Sequence, residues 1–122
     1  MNQFGFDEAD WSAAKFEAKN AMIAKAKLRR VIPYSDLVNK ITSISLQPRD
    51  PRLFHLLGEI STEEATAGRG MLTAIVVHKS GDMQPGPGFF DLAKRLGRDV
   101  SNIEKCWINE INEVYKQWSE SH

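Results

Sequence analysis

The chain has 122 residues with 16 basic and 16 acidic side chains and zero net charge, so bulk charge announces neither a nucleic-acid nor a membrane-surface partner. Hydrophobic residues make up 42% and charged residues 26%, an ordinary balance for one soluble domain spanning residues 1–122, and no apolar run approaches the ~20 residues of a membrane span. The lone cysteine, Cys106, excludes an intramolecular disulfide, and the opening Met-Asn-Gln-Phe-Gly-Phe-Asp-Glu lacks the pattern of a signal peptide; both predict a cytoplasmic location.

Residues 7–30 read as one long helix. Asp7, Glu8 and Asp10 stand in its first turns and Lys25, Lys27, Arg29 and Arg30 in its last, as the helix dipole prefers. Trp11, Ala14, Ala18 and Ala21 fall on one narrow face, and so many alanines allow close docking against the C-terminal helix. Phe4 and Phe6 are expected to pack back on this helix. Pro33 then breaks it, because proline disfavours helical geometry at Ile32. Ser35 or Asp36 caps a short helix through Ile41 with Leu37 and Val38 inward, and residues 42–48 form a connection.

Asp50-Pro51 is a start signal, an N-cap followed by proline at the first helical position. The helix that follows presents Leu53, Phe54, Leu56, Leu57 and Ile60 as inward residues, with Gly58 weakening its end. Ser61-Thr62-Glu63-Glu64 has capping-box spacing and predicts a separate short turn of helix. Within Gly70 to Lys79 the run from Leu72 to Val77 is apolar or β-branched almost throughout, which predicts the one strand. Two prolines and three glycines within residues 81–88 specify a defined turn. Residues 89–96 form a helix ended by Gly97, with Phe89, Leu92, Ala93 and Leu96 buried, and of the adjacent Phe89 and Phe90 rings one fills the core while the other seals strand against helix. Ser101-Asn102-Ile103-Glu104 opens the last helix, whose expected buried stripe is Ile103, Trp107, Ile111, Val114 and Trp118.

The order of helices, strand and turn-rich loop resembles a winged helix-turn-helix. In that likeness residues 34–41 are the supporting helix, residues 51–60 the recognition helix, and the strand with residues 82–88 the wing. Ile32-Pro33-Tyr34-Ser35-Asp36-Leu37 and the loop from Gly81 to Gly88 are similar to the DNA-binding domain of the alkyltransferase and alkyltransferase-like proteins. Those enzymes place their cysteine in a Pro-Cys-His-Arg run before the strand and loop. No such run precedes Val76-Val77-His78 here, and Cys106 lies beyond the loop as a small core residue, so the likeness implies scaffold and no activity. The Pro-Gly-Pro-Gly-Phe-Phe run is also similar to runs in small bacterial proteins and implies no function.

The three histidines, His55, His78 and His122, are far apart, and no His-x-x-x-His, paired cysteine or Glu-x-x-His offers a metal site. No recognisable base stands beside a nucleophile. Pro85 and Pro87 each remove an N–H that a phosphate loop would need, and no Gly-Lys-Ser/Thr follows. The sequence therefore predicts a binding module rather than an enzyme, with no catalytic residue, metal or cofactor. The expected fold is mostly α with a small β element, a winged-helix-like core between long N-terminal and C-terminal helices.

Seven basic residues stand between positions 25 and 52 against Asp36 and Asp50, which allows a basic face. The expected function is nucleic-acid-binding or regulatory, with duplex DNA contacted by Arg29, Arg30, Arg49, Arg52, Arg69, Lys79 and Gln84. Solvated helix ends are the other reading of these cations, and Asp82 in the loop counts against phosphate contact there. The alternative function is protein–protein interaction on the same scaffold. One continuous face holding Arg49, Arg52 and Arg69 favours DNA; scattered arginines and an exposed apolar groove favour a protein partner.

Overall fold

The computed structural model describes residues 2–3, 5–78 and 87–119. A 20-residue helix, α1 (Glu8–Lys27), is the element on which the others are assembled. Trp11, Ala14, Ala18, Met22 and Ala26 lie on its buried side. Three alanines among these five remove side-chain bulk, and four neighbours crowd against the helix: α2 (Tyr34–Lys40), α3 (Pro51–Thr66), a short 3₁₀ helix (Leu72–Ile75) and α5 (Ile103–Ser119). The expected docking of the first helix on the last is therefore present. In front of α1 a two-residue antiparallel pair, β1 (Asn2–Gln3) with β2 (Phe6–Asp7), turns at Gly5, whose φ of 86° suits glycine. Strands this short carry no periodicity, and the sequence does not announce the pair. Phe6 stacks on Trp11 at 6.3 Å, as expected, while Phe4 lies outside the described residues.

α3 and α5 begin at side-chain caps, whereas α2 begins at Tyr34, ahead of the expected Ser35 or Asp36 cap, with no capping side chain because Pro33 stands at its N-cap. Asp50 accepts a hydrogen bond from the Arg52 backbone N–H at 2.9 Å, with Pro51 at the first helical position of α3. Asn102, rather than Ser101, caps α5 by accepting from the Lys105 N–H at 3.1 Å. One further boundary and one buried stripe differ from expectation. Ser61–Glu64 does not open a new helix; α3 runs unbroken through Gly58 to Thr66. Ser61 gives its hydroxyl to the 3₁₀ segment, accepting from the Thr73 N–H at 3.1 Å, and Glu64 is buried in ion pairs, so neither is free to cap. In α5 the buried residues are Cys106, Glu110 and Val114, while Ile103 is 50% exposed because it lies beyond the edge of the core.

The largest departure is at residues 70–79. The strand expected there is only β4 (Val76–Val77), preceded by the 3₁₀ helix. Every residue from Met71 to Val77 is buried, and a buried apolar run of this length has no periodicity to separate strand from turn. Side chains from two helices decide the matter by satisfying the backbone. Met71 N–H donates to Glu110 at 3.2 Å, Thr73 N–H to Ser61 at 3.1 Å, and the Ala74 carbonyl accepts from Trp107 Nε1 at 2.7 Å. β4 pairs in parallel with β3 (Ile32–Pro33), Ile32 opposite Val76 and Pro33 opposite Val77, and these two residues make its whole described ladder. The fold is thus mostly α with a small β element. After β4 the described chain resumes in α4 (Pro87–Arg95).

Candidate functional site

α4 crosses α3 at Gly58, where a Cβ added to the glycine would meet Leu92 at 3.9 Å. Residues of both helices line a groove of about 750 Å³. Its α3 wall includes a helical stripe, Pro51, Phe54, His55, Gly58, Glu59 and Thr62, at steps of one or three residues, and ends at Glu63. Phe89, Leu92 and Arg95 repeat every three residues along the α4 wall. Tyr34 and His78 close one end, with ring centroids 5.0 Å apart, and Phe54 meets Tyr34 edge to face at 5.8 Å. Phe89 is 7% exposed and packs edge to face against the less buried Phe90 at 5.2 Å, so one of the two rings is in the core, as expected. Thr73 reaches the groove from the 3₁₀ helix, its hydroxyl hydrogen-bonded to Ser61.

The polar rim on the α3 side is fixed by α1. Glu59 Oε1 accepts from Trp11 Nε1 at 3.0 Å and pairs with Lys15 at 3.2 Å, and its Oε2 holds His55 Nε2 at 2.9 Å. Glu63 takes the same Lys15 at 2.6 Å. Burial opposes ionisation of Glu59, but Trp11 and Lys15 outweigh it and hold the carboxyl below its usual range. Burial likewise opposes the charge on Lys15, and its hydrogen bonds to Glu63 and Glu59 raise it above its usual value. This network is a rigid wall rather than a set of free acids. On the opposite rim Arg95 is exposed and makes no ion pair among the described residues.

The arginines expected to share one basic face are not equivalent. Arg52 is tied to its own helix cap, Nη2 to Asp50 Oδ2 at 2.7 Å, and its guanidinium lies 4.7 Å over the Phe6 ring. That pairing holds the Asp50 carboxyl below its usual range. Arg69 grips Glu64 with two hydrogen bonds of 2.8 Å, and Lys19 joins the same carboxylate at 3.0 Å. The two arginines flank opposite ends of α3, which at 16 residues is about 24 Å long. Arg29 sits 5.9 Å over the Tyr115 ring, and Arg30 and Arg49 are exposed without ion pairs among the described residues. Lys79 and Gln84 lie outside the described residues, as does the expected wing loop as far as residue 86; its last two residues, Pro87 and Gly88, open α4 instead.

Cys106 is 4% exposed, and burial, with Glu110 adding to it, pushes its thiol up from its ordinary value, which fits the core role read from the sequence. Among the described residues no group of three His, Cys, Asp or Glu side chains could hold a metal ion. The sequence places Phe54 inward and does not single out Glu59, Glu63 or Arg95. The signal for the groove is the second stripe of α3, which carries Phe54 among polar residues. No protein-family model, curated protein or solved structure matches this chain.

Proposed function

We propose that this chain is a protein-interaction module whose docking site is the groove between α3 and α4. The observation that carries the reading is Phe54, 44% exposed between the Tyr34 ring and the apolar α4 wall. An exposed aromatic ring in a concave apolar site costs hydration free energy that a partner's apolar side chain recovers. The volume suits one large anchoring side chain and its neighbours. The two-helix wall matches the groove-docking mode of peptide recognition. Selection of a random peptide library on the immobilised chain tests it. Enriched peptides should carry aromatic or leucine anchors and lose binding to Phe54→Glu, but keep binding to Phe16→Glu, which changes an exposed ring on α1 away from the groove. No enrichment, or enrichment that survives Phe54→Glu, defeats the reading.

Duplex DNA binding is the second reading, and one observation favours it. Lys25, Lys27, Arg29 and Arg30 crowd the end of α1 and pair with no acid among the described residues. A winged arrangement, with α2 supporting and α3 recognising, is the scaffold this reading assumes. Replacing Arg29 and Arg30 by alanine should weaken duplex binding at every sequence and lower the log K against log salt slope by roughly 0.9 per lost phosphate contact. Arg52→Ala should leave that slope unchanged, since Asp50 already neutralises this cation. Wild-type binding weaker than about 10⁻⁴ M at physiological salt excludes DNA as the ligand.

A further inference from the structure

We infer that the segment docked in the groove carries a carboxylate beside its apolar anchor, and that Arg95 holds it. This rests on the groove being a docking site for a partner polypeptide. Phe89, Leu92 and Arg95 follow one another at intervals of three along α4, so the guanidinium stands at the end of the apolar stripe. The two carboxylates that line the groove do not pair with it, and neither does Asp91 one turn back on α4. Glu59 is engaged by Trp11, Lys15 and His55, and Glu63 by Lys15, all on the α3 rim. Arg95 therefore faces the groove with its hydrogen-bonding capacity unspent within the described chain.

An occupant that covered Arg95 with apolar surface alone would strip water from a charge and give nothing back. A lysine or arginine there would meet like charge. A carboxylate instead converts the desolvated guanidinium into a charge-assisted, bidentate pair, for which arginine's planar fork is suited. The α3 wall runs from Pro51 to Glu63, about 18 Å of helix, which a polypeptide segment laid along the groove matches and a single-ring acid does not. The occupant is thus an acidic segment with an aromatic or aliphatic anchor.

Matched synthetic peptides test the inference. A sequence enriched on wild type is made with glutamate and with glutamine at its acidic position, and each is titrated by fluorescence anisotropy against wild type, Arg95→Gln and Arg95→Glu, with folding checked by circular dichroism. On wild type the glutamine peptide should bind about tenfold more weakly. Arg95→Gln should bind the two equally, and Arg95→Glu should prefer a lysine peptide, a reversal that a merely structural role for Arg95 would not produce. Equal binding of the two peptides to wild type, or an equal loss of both on Arg95→Gln, overturns the inference while leaving the groove as a docking site. Phenylpropionate binding as tightly as the peptide overturns the polypeptide occupant. If no apolar peptide binds at all, the docking reading falls and this inference with it.

Discussion

Arg29 adopts a left-handed backbone conformation, φ 54°, the only non-glycine residue among those described to do so. It stands one position past the α1 cap residue Leu28, where the chain closes the helix. Arg30 N–H donates to the Lys25 carbonyl and Arg29 N–H to the Ala26 carbonyl, each at 3.0 Å, the pattern that glycine usually completes. An L side chain there costs about 1 kcal/mol, so Arg29→Gly should stabilise the protein by about that amount, read as a higher urea midpoint. A lower midpoint would show that the guanidinium's contact with Tyr115 outweighs the backbone strain. The same variant separates stability from binding: if α1's basic end contacts phosphate, the more stable protein is the weaker DNA binder.

At the scale of elements, the segment from Met71 to Val77 shows how a buried run takes its conformation from its neighbours. Its backbone groups go to Glu110 and Trp107 on α5 and Ser61 on α3, and only Val76–Val77 finds a strand partner. Trp107→Phe keeps an aromatic ring and deletes the donor to the Ala74 carbonyl. The expected cost is about 1–3 kcal/mol, that of a polar group left unsatisfied in the interior. Amide hydrogen exchange should quicken across residues 71–77 before it quickens in α1, and uniform quickening would show that the 3₁₀ helix has no stability of its own. α5 itself is half legible. Its 3.6-residue period and cap stand in the sequence, but Ile103 and Val114 look alike there. Only the position of the core edge makes one exposed and the other buried.

The whole molecule is tied together by carboxylates on facing elements. Glu64 on α3 is 1% exposed and binds Arg69 and, across to α1, Lys19; Arg69 chiefly, with Lys19 adding, holds it below its ordinary value of 4.5. Glu17 on α1 accepts from the backbone N–H groups of Ser43 and Thr42, each at 3.0 Å, and these bonds with the Thr42 hydroxyl lower its carboxyl too. A carboxyl whose folded value lies below its unfolded value stabilises the fold above the unfolded value. That contribution disappears as pH falls through the folded one. The urea midpoint should therefore decline as pH drops below 4.5, and Glu64→Gln should show a lower midpoint at pH 7 with a shallower decline. An unchanged slope in that variant would assign the acid sensitivity to other carboxylates.

Local chemistry fixed much of this protein in advance. The alanine face and charge ends of α1, Asp50-Pro51 at the head of α3, and the Phe89, Leu92, Ala93 stripe of α4 each rest on interactions within a few residues. Their elements lie within a few residues of where the sequence places them. The helical class and the buried cysteine follow from the same reading. The groove does not, because it is made by residues of two helices brought together, by Lys15 and Trp11 arriving from a third, and by a Phe54 ring left half outside the core. Tertiary structure likewise decided which arginines are spent on Asp50 and Glu64 and which face solvent. A charge in the sequence has no partner until the fold brings one within about 4 Å, and that distance is a property of packing rather than of pattern.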